Sequence, residues 1–282
     1  MITKNPMQLK AFIKNKAAEK NLSAQLVLQN YVLERLLERI SISGYRQNFI
    51  LKGGFLISAI VGLNTRATMD LDTTVKGFDL THAAIRSILK EICEIPLEDD
   101  VVFEILGTSD IREADDYPGI RANMIASYPP ISVPFAVDVT TGDEITPSEI
   151  EYAFPLMFDE RSISIMAYNL ETILAEKLET VVSRGIANTR PRDFYDIFIL
   201  WKLRGDGISP NVLKKAIEQT AKKRESLAVI SRYDSILSDV LKSEQLRGFW
   251  KKYQSEFYYA ADISFEATVG AAKEILEMLE LS

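Results

Sequence analysis

The sequence predicts an α/β protein in which a mixed sheet with flanking helices is followed by an α-helical C-terminal domain. Short alternating or fully apolar segments, each bounded by turn residues, recur as far as residue 165 and are typical of strands. From residue 166 onward, apolar residues recur only at the three- and four-residue spacing of helices. The chain has 282 residues, which is enough for two modest domains, and we expect these at 1–165 and 166–282.

The first predicted domain begins with helical spacing over residues 7–42, where Leu33 and Leu37 follow an N-cap at Ser23. Two further helices are predicted at FLISAIVGL and LTHAAIRSILKEI, and strands are predicted at NFILKGG, MDLDTTV, DVVFEILG, IRANMIASY and VPFAVDVTTGD. Residues 108–118 are expected to form a polar, acidic loop between two of these strands.

The second predicted domain is helical throughout. Its first helix is NLETILAEKLETVVSR, whose leucine, isoleucine and valine residues fall on one stripe. Its second helix is RDFYDIFILWKL, and the rest of the chain continues with amphipathic helices.

The composition excludes several classes of protein. Cys93 is the single cysteine, which leaves no partner for an intrachain disulfide, and His82 is the single histidine, which excludes a histidine-rich zinc site. The longest apolar run, at 55–63, is about half of the roughly 20 residues that a membrane helix needs. The first ten residues contain no apolar core of a signal peptide. We therefore expect a cytoplasmic protein with no membrane contact.

The charges are distributed unevenly along the chain. Residues 91–160 contain 17 Asp and Glu against two Arg, a net charge of −15, whereas residues 184–254 contain 15 Lys and Arg against eight Asp and Glu, a net charge of +7. These runs are either ordinary solvated faces, or a basic lobe that binds a polyanion and an acidic lobe that needs metal ions to do so.

The stretch TRATMDLD places two aspartates, Asp70 and Asp72, one residue apart. Side chains two residues apart on a strand point to the same face, so these carboxylates would lie roughly 6–7 Å apart. Two like charges at that separation repel each other, and a partly buried pair favours a divalent cation between them. Paired carboxylates are the usual protein ligands of Mg²⁺, although an isolated D-x-D pattern is common.

Two other features support a phosphate and metal site. Gly53 and Gly54 follow a strand and precede a short helix, so backbone N–H groups could approach a phosphate at the helix N-terminus. Asp138 lies in the middle of the apolar strand FAVDVTTGD, where a buried charge requires a partner. If this strand neighbours the one that contains Asp72, three carboxylates converge; otherwise Asp138 lies on the exposed face of an edge strand.

Four blocks of sequence, LKGGFLISAI…TRATMDLDTTV, VDV, NLETILAEKLETVVSR and RPRDFYDIFIL, together resemble the AbiEii-type nucleotidyltransferase toxins. These are the toxins of type IV toxin–antitoxin systems, which act in abortive infection by phage, and they belong to the DNA polymerase β-like nucleotidyltransferase superfamily. The resemblance covers residues 25–205 and implies a nucleotidyltransferase fold for the sheet. It also implies Mg²⁺ as cofactor and an NTP as substrate.

The resemblance implies roles for several residues of the first domain. Gly53 and Gly54 would form the phosphate-binding turn, and Asp70 and Asp72 would hold Mg²⁺ at the triphosphate. Asp138 would complete the metal site and orient or deprotonate the attacking hydroxyl. Lys52 and Arg66 are close enough in sequence to reach phosphate oxygens, or they simply pair with the aspartates.

In the second domain, Lys177 lies toward the apolar side of its helix. It is either a lysine whose stem covers the core, or, as the resemblance implies, a cation that binds the triphosphate. Asp193 and Asp196 are three residues apart on one helix face, beside Arg192. One of these aspartates would orient Lys177, or the two have a purely structural role between helices.

The predicted function is Mg²⁺-dependent transfer of NMP from an NTP to an RNA acceptor, the tRNA 3′ end, with release of pyrophosphate and arrest of translation. The expected partners are this RNA and a cognate antitoxin of the AbiEi type, with or without a stable complex. Two alternatives stay open: a nucleotidyltransferase with a small-molecule acceptor, such as an aminoglycoside or a sugar phosphate, and a non-catalytic binding protein with the same fold.

Overall fold

The computed structural model describes residues 5–111 and 119–281. The chain forms two compact units. Each unit consists of two segments of the chain. The first unit contains the chain as far as Asp143 together with Ile150–Ala167, and the second contains Glu144–Glu149 together with the chain from Tyr168 onward. In the described ranges, no helix combines the length and the apolar character that a membrane crossing requires.

The first unit is a seven-stranded mixed sheet with four helices, which confirms the predicted fold class. The strands are β1 (Phe49–Lys52), β2 (Leu71–Val75), β3 (Val102–Asp110), β4 (Gly119–Tyr128), β5 (Ile131–Thr141), β6 (Ile150–Pro155) and β7 (Ser162–Ala167). The helices are α1 (Pro6–Lys20), α2 (Ala24–Ile42), α3 (Gly53–Val61) and α4 (His82–Cys93). The order in the sheet is β3-β4-β5-β2-β1-β7-β6, with β2–β5 and β1–β7 parallel and the other pairs antiparallel.

The structure differs from the sequence predictions at three places. The helical region 7–42 consists of two helices, because Asn21 ends α1 with a left-handed φ of 52° and the Ser23 hydroxyl caps α2 by accepting from the Leu26 N–H at 3.1 Å. Strands β6 and β7 were not predicted. The expected loop at 108–118 begins later, since β3 continues to Asp110, and the remainder of that prediction, residues 112–118, lies outside the described residues.

The second unit is helical, as predicted. Its helices are α5 (Leu170–Arg184), α6 (Pro191–Arg204), α7 (Pro210–Lys223), α8 (Leu227–Ile230), α9 (Tyr233–Lys242), α10 (Glu244–Glu256) and α11 (Phe265–Met278). Asn169 caps α5 and also donates from its side chain to the carbonyls of Thr146 and Ser148, both at 2.9 Å. These bonds explain why the short segment 144–149 belongs to this unit.

Aromatic side chains form much of the core of the second unit. The ring of Tyr195 lies 4.9 Å from that of Tyr259, and Phe194 packs edge-on against Phe265 at 5.3 Å. Trp250 is 2% exposed and donates from its indole N–H to the Ile263 carbonyl at 2.9 Å. Helix α6 therefore lies in the interior of this unit, which fixes the position of the acidic residues at its start.

Candidate active site

One row of the sheet carries charged residues on four neighbouring strands. Arg121 of β4 is in register with Asp138 of β5, Asp138 is in register with Asp72 of β2, and Asp72 is in register with Lys52 of β1. Residues directly opposite each other on paired strands have their side chains on the same face, with strands about 4.8 Å apart. Strand β5 thus neighbours β2, as a convergence of the aspartates requires.

Asp70 lies one residue before β2, and Leu71, between the two aspartates, is completely buried. Asp70 is exposed and Asp72 is half-buried, so the alternation places both carboxylates on the side of the sheet opposite to Leu71. We refer to Asp70, Asp72 and Asp138 as the acidic row.

Arg121 binds the carboxylate of Asp138 with both ends of its guanidinium. Its Nε lies 2.7 Å from Asp138 Oδ1 and its Nη2 lies 2.7 Å from Oδ2. The hydrogen bond and the charge of Asp138 raise the pKa of Arg121 above its ordinary value, and the charges of Asp70 and Asp72 add to the increase. Arg121 therefore lies in the electrostatic field of the whole acidic row, so its positive charge is permanent.

The sequence predictions did not include Arg121. The available signal was its place in IRANMIASY, where it is the only charged residue of an alternating strand. Antiparallel pairing of that strand with VPFAVDVTT in the correct register places Arg121 opposite Asp138. The register depends on both strands, so the sequence of one strand does not reveal it.

The two glycines at the start of α3, Gly53 and Gly54, leave room for side chains of the site. Gly53 has a φ of 67°, and a Cβ built there would lie 2.7 Å from the carboxylate carbon of Asp72. A Cβ at Gly54 would lie 2.9 Å from Thr68 Oγ1 and 3.2 Å from Arg66 Nη2. Helix α3 starts at Gly53 with no side-chain cap, so its N-terminal N–H groups adjoin Asp72. A side chain at Gly53 would therefore collide with Asp72, whereas the approach to a phosphate that the glycine pair suggested stays a prediction.

The two predicted cations of the first unit have neighbours of their own. The ammonium of Lys52 pairs with Asp143 and lies 2.7 Å from Thr140 Oγ1, which in turn donates to Asp143 Oδ2 at 2.9 Å. Asp143 was not predicted as a site residue. Arg66 is 2% exposed, and its Nη1 donates to the Ala67 carbonyl. Lys52 thus belongs to a polar group on β1 and β5, and Arg66 supports the turn that precedes Asp70.

Two polar residues of α2 hold the backbone directly before Asp70. The Asn30 side chain donates to the Thr68 carbonyl at 2.8 Å, and the Gln29 side chain donates to the Met69 carbonyl at 3.3 Å. Both side chains belong to buried residues. They were not predicted, and the only signal was an adjacent Gln–Asn pair within an otherwise apolar stretch of helix.

The acidic row fits a divalent cation by its chemistry, because three hard oxygen donors share one face beside a glycine turn where a Cβ would fill the space. Within residues 5–111 and 119–281, however, no group of three or more His, Cys, Asp or Glu is gathered in a way that could hold a metal ion. Asp138, moreover, has both of its carboxylate oxygens bound by Arg121. The guanidinium takes the place of a cation there.

In the second unit, Lys177 of α5 pairs with both aspartates of α6. Its Nζ lies 2.5 Å from Asp193 Oδ1 and 3.1 Å from Asp196 Oδ2. The side chain of Asp196 is completely buried and that of Asp193 is 6% exposed, whereas that of Lys177 is 21% exposed. The second oxygen of Asp193 is buried with no hydrogen-bond partner. We refer to these three residues as the Lys177 cluster.

Comparisons with known proteins identify the family of the chain and its type of fold. Residues 35–271 match the family described as "Nucleotidyl transferase AbiEii toxin, Type IV TA system". The fold is similar to that of a protein from H. pylori proposed to be a nucleotidyltransferase, with 16% identity, a TM-score of 0.51, and coverage of 92% of this chain and 98% of that one. It is also similar to JHP933 from Helicobacter pylori, with 16% identity, a TM-score of 0.52, and coverage of 92% and 95%. No curated protein matches the sequence.

Proposed function

The chain belongs to the AbiEii family of nucleotidyltransferase toxins of type IV toxin–antitoxin systems. We propose that it transfers NMP from an NTP to the 3′ end of an RNA and that this RNA is a tRNA. The family implies an antitoxin as partner, and we propose one of the AbiEi type. The observation that carries the proposal is the acidic row beside the glycine turn at the start of α3, since both features serve a triphosphate.

In the proposed reaction, Asp70 and Asp72 hold Mg²⁺ and Asp138 completes the site. When bound, this ion supplies Lewis-acid neutralisation of phosphate charge. The N–H groups at the start of α3 bind phosphate oxygens, which the positive end of the helix dipole favours. Asp138 accepts the proton of the acceptor hydroxyl, or orients that hydroxyl toward the α-phosphate, and pyrophosphate leaves.

We further propose that Lys177 is a phosphate-binding cation and that Asp193 and Asp196 orient it. The support is that one ammonium lies between two buried carboxylates, which restricts the lysine to a single geometry. The same ion pairs also join α5 to α6, so the structural alternative predicts the same contacts.

The proposed acceptor surface is the basic end of α7. Lys222 and Lys223 are exposed there, close to Arg224, which pairs with Glu179 at 2.5 Å. Exposed lysines contribute to RNA affinity by replacing the cations that condense on phosphates. A polyanionic acceptor fits such a surface better than a small neutral acceptor does.

The test is incubation of the purified protein with each labelled NTP, Mg²⁺, and either total RNA or small acceptors, namely an aminoglycoside and a sugar phosphate. We expect label from one NTP on a discrete RNA band of tRNA size. Asp70→Asn should abolish the band, whereas Asp79→Asn, which changes an exposed aspartate nearby in the sequence, should retain it. Label on a small acceptor alone would refute the RNA substrate, and label on neither would refute the transferase activity.

A further inference from the structure

The bidentate pair of Arg121 and Asp138 conflicts with the role proposed for Asp138. A carboxylate that accepts two charge-assisted hydrogen bonds from one guanidinium has its charge neutralised and its geometry fixed. Both bonds here are 2.7 Å long, and the two residues face each other in the β4–β5 register. Asp138 in this state is a poor ligand for a second cation and a poor acceptor for the proton of a hydroxyl.

We propose that Arg121 is a positioning residue that competes with the divalent cation for Asp138, holding this carboxylate until the cation displaces the guanidinium. The inference rests on the proposed metal site and deepens it. Arg121 thereby keeps the three like charges of the acidic row compatible in the absence of metal, and Asp138 becomes available only when the metal is bound.

The exposure of the two side chains favours displacement in this direction. The Arg121 side chain is 45% exposed, so its guanidinium can be rehydrated when it leaves, whereas the Asp138 side chain is 17% exposed and remains on the sheet. Ser109 of β3, the other register neighbour of Arg121, is uncharged and does not compete for the guanidinium.

A purely electrostatic role makes a different prediction from a clamp. If only the positive charge of Arg121 matters, lysine replaces it fully. If the two-point grip matters, lysine does not replace it, because an ammonium lacks the planar fork that matches a carboxylate. Arg121→Lys therefore distinguishes the two roles, and Arg121→Met removes both the charge and the grip.

The experiment measures Mn²⁺ binding to the nucleotide-free protein by titration calorimetry and by the electron paramagnetic resonance signal of free Mn²⁺. We expect Arg121→Lys and Arg121→Met each to tighten binding by about tenfold, as expected when one competing charge-assisted interaction is lost. In an Asp138→Asn background, Arg121→Lys should leave the affinity unchanged. The matched control is Arg86→Lys, which alters an arginine that bonds to Thr108 and should bind Mn²⁺ as the wild type does.

The outcomes separate this inference from the proposed function. If the wild type binds Mn²⁺, Asp70→Asn abolishes binding, and Arg121→Lys binds like the wild type, the clamp is refuted and the metal site stands. If the wild type shows no binding that depends on Asp70, both are refuted. Thermal denaturation of each variant without metal establishes that it is folded at the temperature of the titration.

Discussion

The two charge clusters of the molecule differ in burial more than in composition. The acidic row of the first unit contains three carboxylates, of which Asp70 is exposed and Asp138 is 17% exposed, with Arg121 as a partly exposed counter-ion. The Lys177 cluster of the second unit contains two carboxylates with almost no exposure and a single lysine. The acidic row with Arg121 has three negative charges against one positive charge, and the Lys177 cluster has two against one, but the carboxylates of the Lys177 cluster are the less exposed to water.

The difference determines what a mutation does. Removing an exposed carboxylate from a group of like charges relieves repulsion and costs the fold little. Removing the cation of a buried cluster leaves its carboxylates buried without that cation, which typically costs several kcal/mol. If a mutation in the acidic row abolishes activity, the residue has a chemical role. If a mutation in the Lys177 cluster abolishes activity, loss of stability must be tested before a chemical role is inferred.

The largest expected effect is that of Asp70→Asn or Asp72→Asn on the rate of nucleotide transfer. We expect a decrease of about a thousandfold, the upper range for loss of one preorganised electrostatic group. The thermal midpoint should be unchanged or slightly higher, since the repulsion that is removed is worth about 1 kcal/mol. Initial rates and thermal denaturation check both parts, and full activity in either variant would refute the assignment of the acidic row. If the wild type slows growth on expression, both variants should be harmless.

Lys177→Met should destabilise the second unit by about 3–5 kcal/mol, because Asp193 and Asp196 would stay buried without their cation. Urea denaturation measures this loss. The triple variant with Asp193→Asn and Asp196→Asn is the matched control, and it should recover most of the stability because the buried charges are gone. If Lys177→Met has the same free energy of unfolding as the wild type, then Lys177 does not stabilise the two buried carboxylates.

Activity at Lys177 is informative only in a variant that remains folded at the assay temperature. There we expect loss of transfer with RNA binding retained in the absence of NTP, as for a lysine that serves the triphosphate. A parallel loss of RNA affinity would place Lys177 on the side of the acceptor, and unchanged kinetics would leave it with the structural role.

Local patterns were sufficient to predict most elements of the fold. The Ser23 cap, the α3 helix after the glycine pair and the change to helices in the second half each depend on residues close together in the sequence. Strands β6 and β7 were missed although they are longer than β1 and β2, which were predicted, and although SISI at the start of β7 alternates between polar and apolar residues. A break such as the one at Asn21 depends on a single residue in the left-handed conformation, which periodicity does not detect.

Only those parts of the candidate site that lie within a single strand could be predicted from the sequence. Asp70 and Asp72 form a local pattern, and Asp138 is conspicuous in an apolar strand. Arg121 and Asp143 gain their importance from residues that are distant in sequence, through strand register and through a lysine on another strand. A convergence of three carboxylates was expected if the strands of Asp72 and Asp138 were neighbours. They are neighbours, but the described residues contain no group that could hold a metal ion, and Asp138 is bound by Arg121.

A buried carboxylate in the first unit extends the comparison. Glu34 accepts from the Met157 N–H at 2.7 Å, and burial raises its pKa to about 8, although the nearby Arg35 opposes the increase. The folded protein therefore retains a proton that the unfolded chain loses above about pH 4.5. The contribution of Glu34 to stability is complete below that pH and is lost as the pH rises to about 8.

Glu34→Gln should remove this pH dependence, because the amide does not titrate. Between pH 5 and pH 8 we expect the wild type to lose up to about 4 kcal/mol that the variant does not lose. Urea denaturation at both pH values measures the difference, and Glu19→Gln, which changes an exposed glutamate, is the control. Parallel curves for the wild type and Glu34→Gln would show that Glu34 is already ionised in the folded protein.

The smallest effect concerns exposed charges of the second unit, which should behave unlike Lys177 with its two buried carboxylate partners. Lys222 and Lys223 lie at the end of α7, and reversing both should leave the free energy of unfolding within about 0.5 kcal/mol. RNA binding should change instead, because each phosphate that a cation neutralises adds about 0.9 to the slope of log affinity against log salt for a duplex. Lys214 and Lys215 of the same helix bring its lysines to four, whereas Arg224 is already engaged by Glu179, so three or four contacts and a slope of about −3 are expected.

Lys222→Glu/Lys223→Glu should flatten the slope by about two in filter binding of tRNA over a salt series. Lys251→Glu/Lys252→Glu on α10 makes the same change of charge at another exposed site of the same unit, so it separates a local contact from the effect of net charge. If both variants flatten the slope equally, the net charge of +7 over residues 184–254 attracts RNA without a defined surface. If neither does, α7 does not contact the acceptor, and a small-molecule acceptor becomes the better hypothesis. If only the α7 variant flattens the slope of log affinity against log salt, the exposed cations of α7 contact the RNA. Their role then differs from that of Lys177, which pairs with two buried carboxylates.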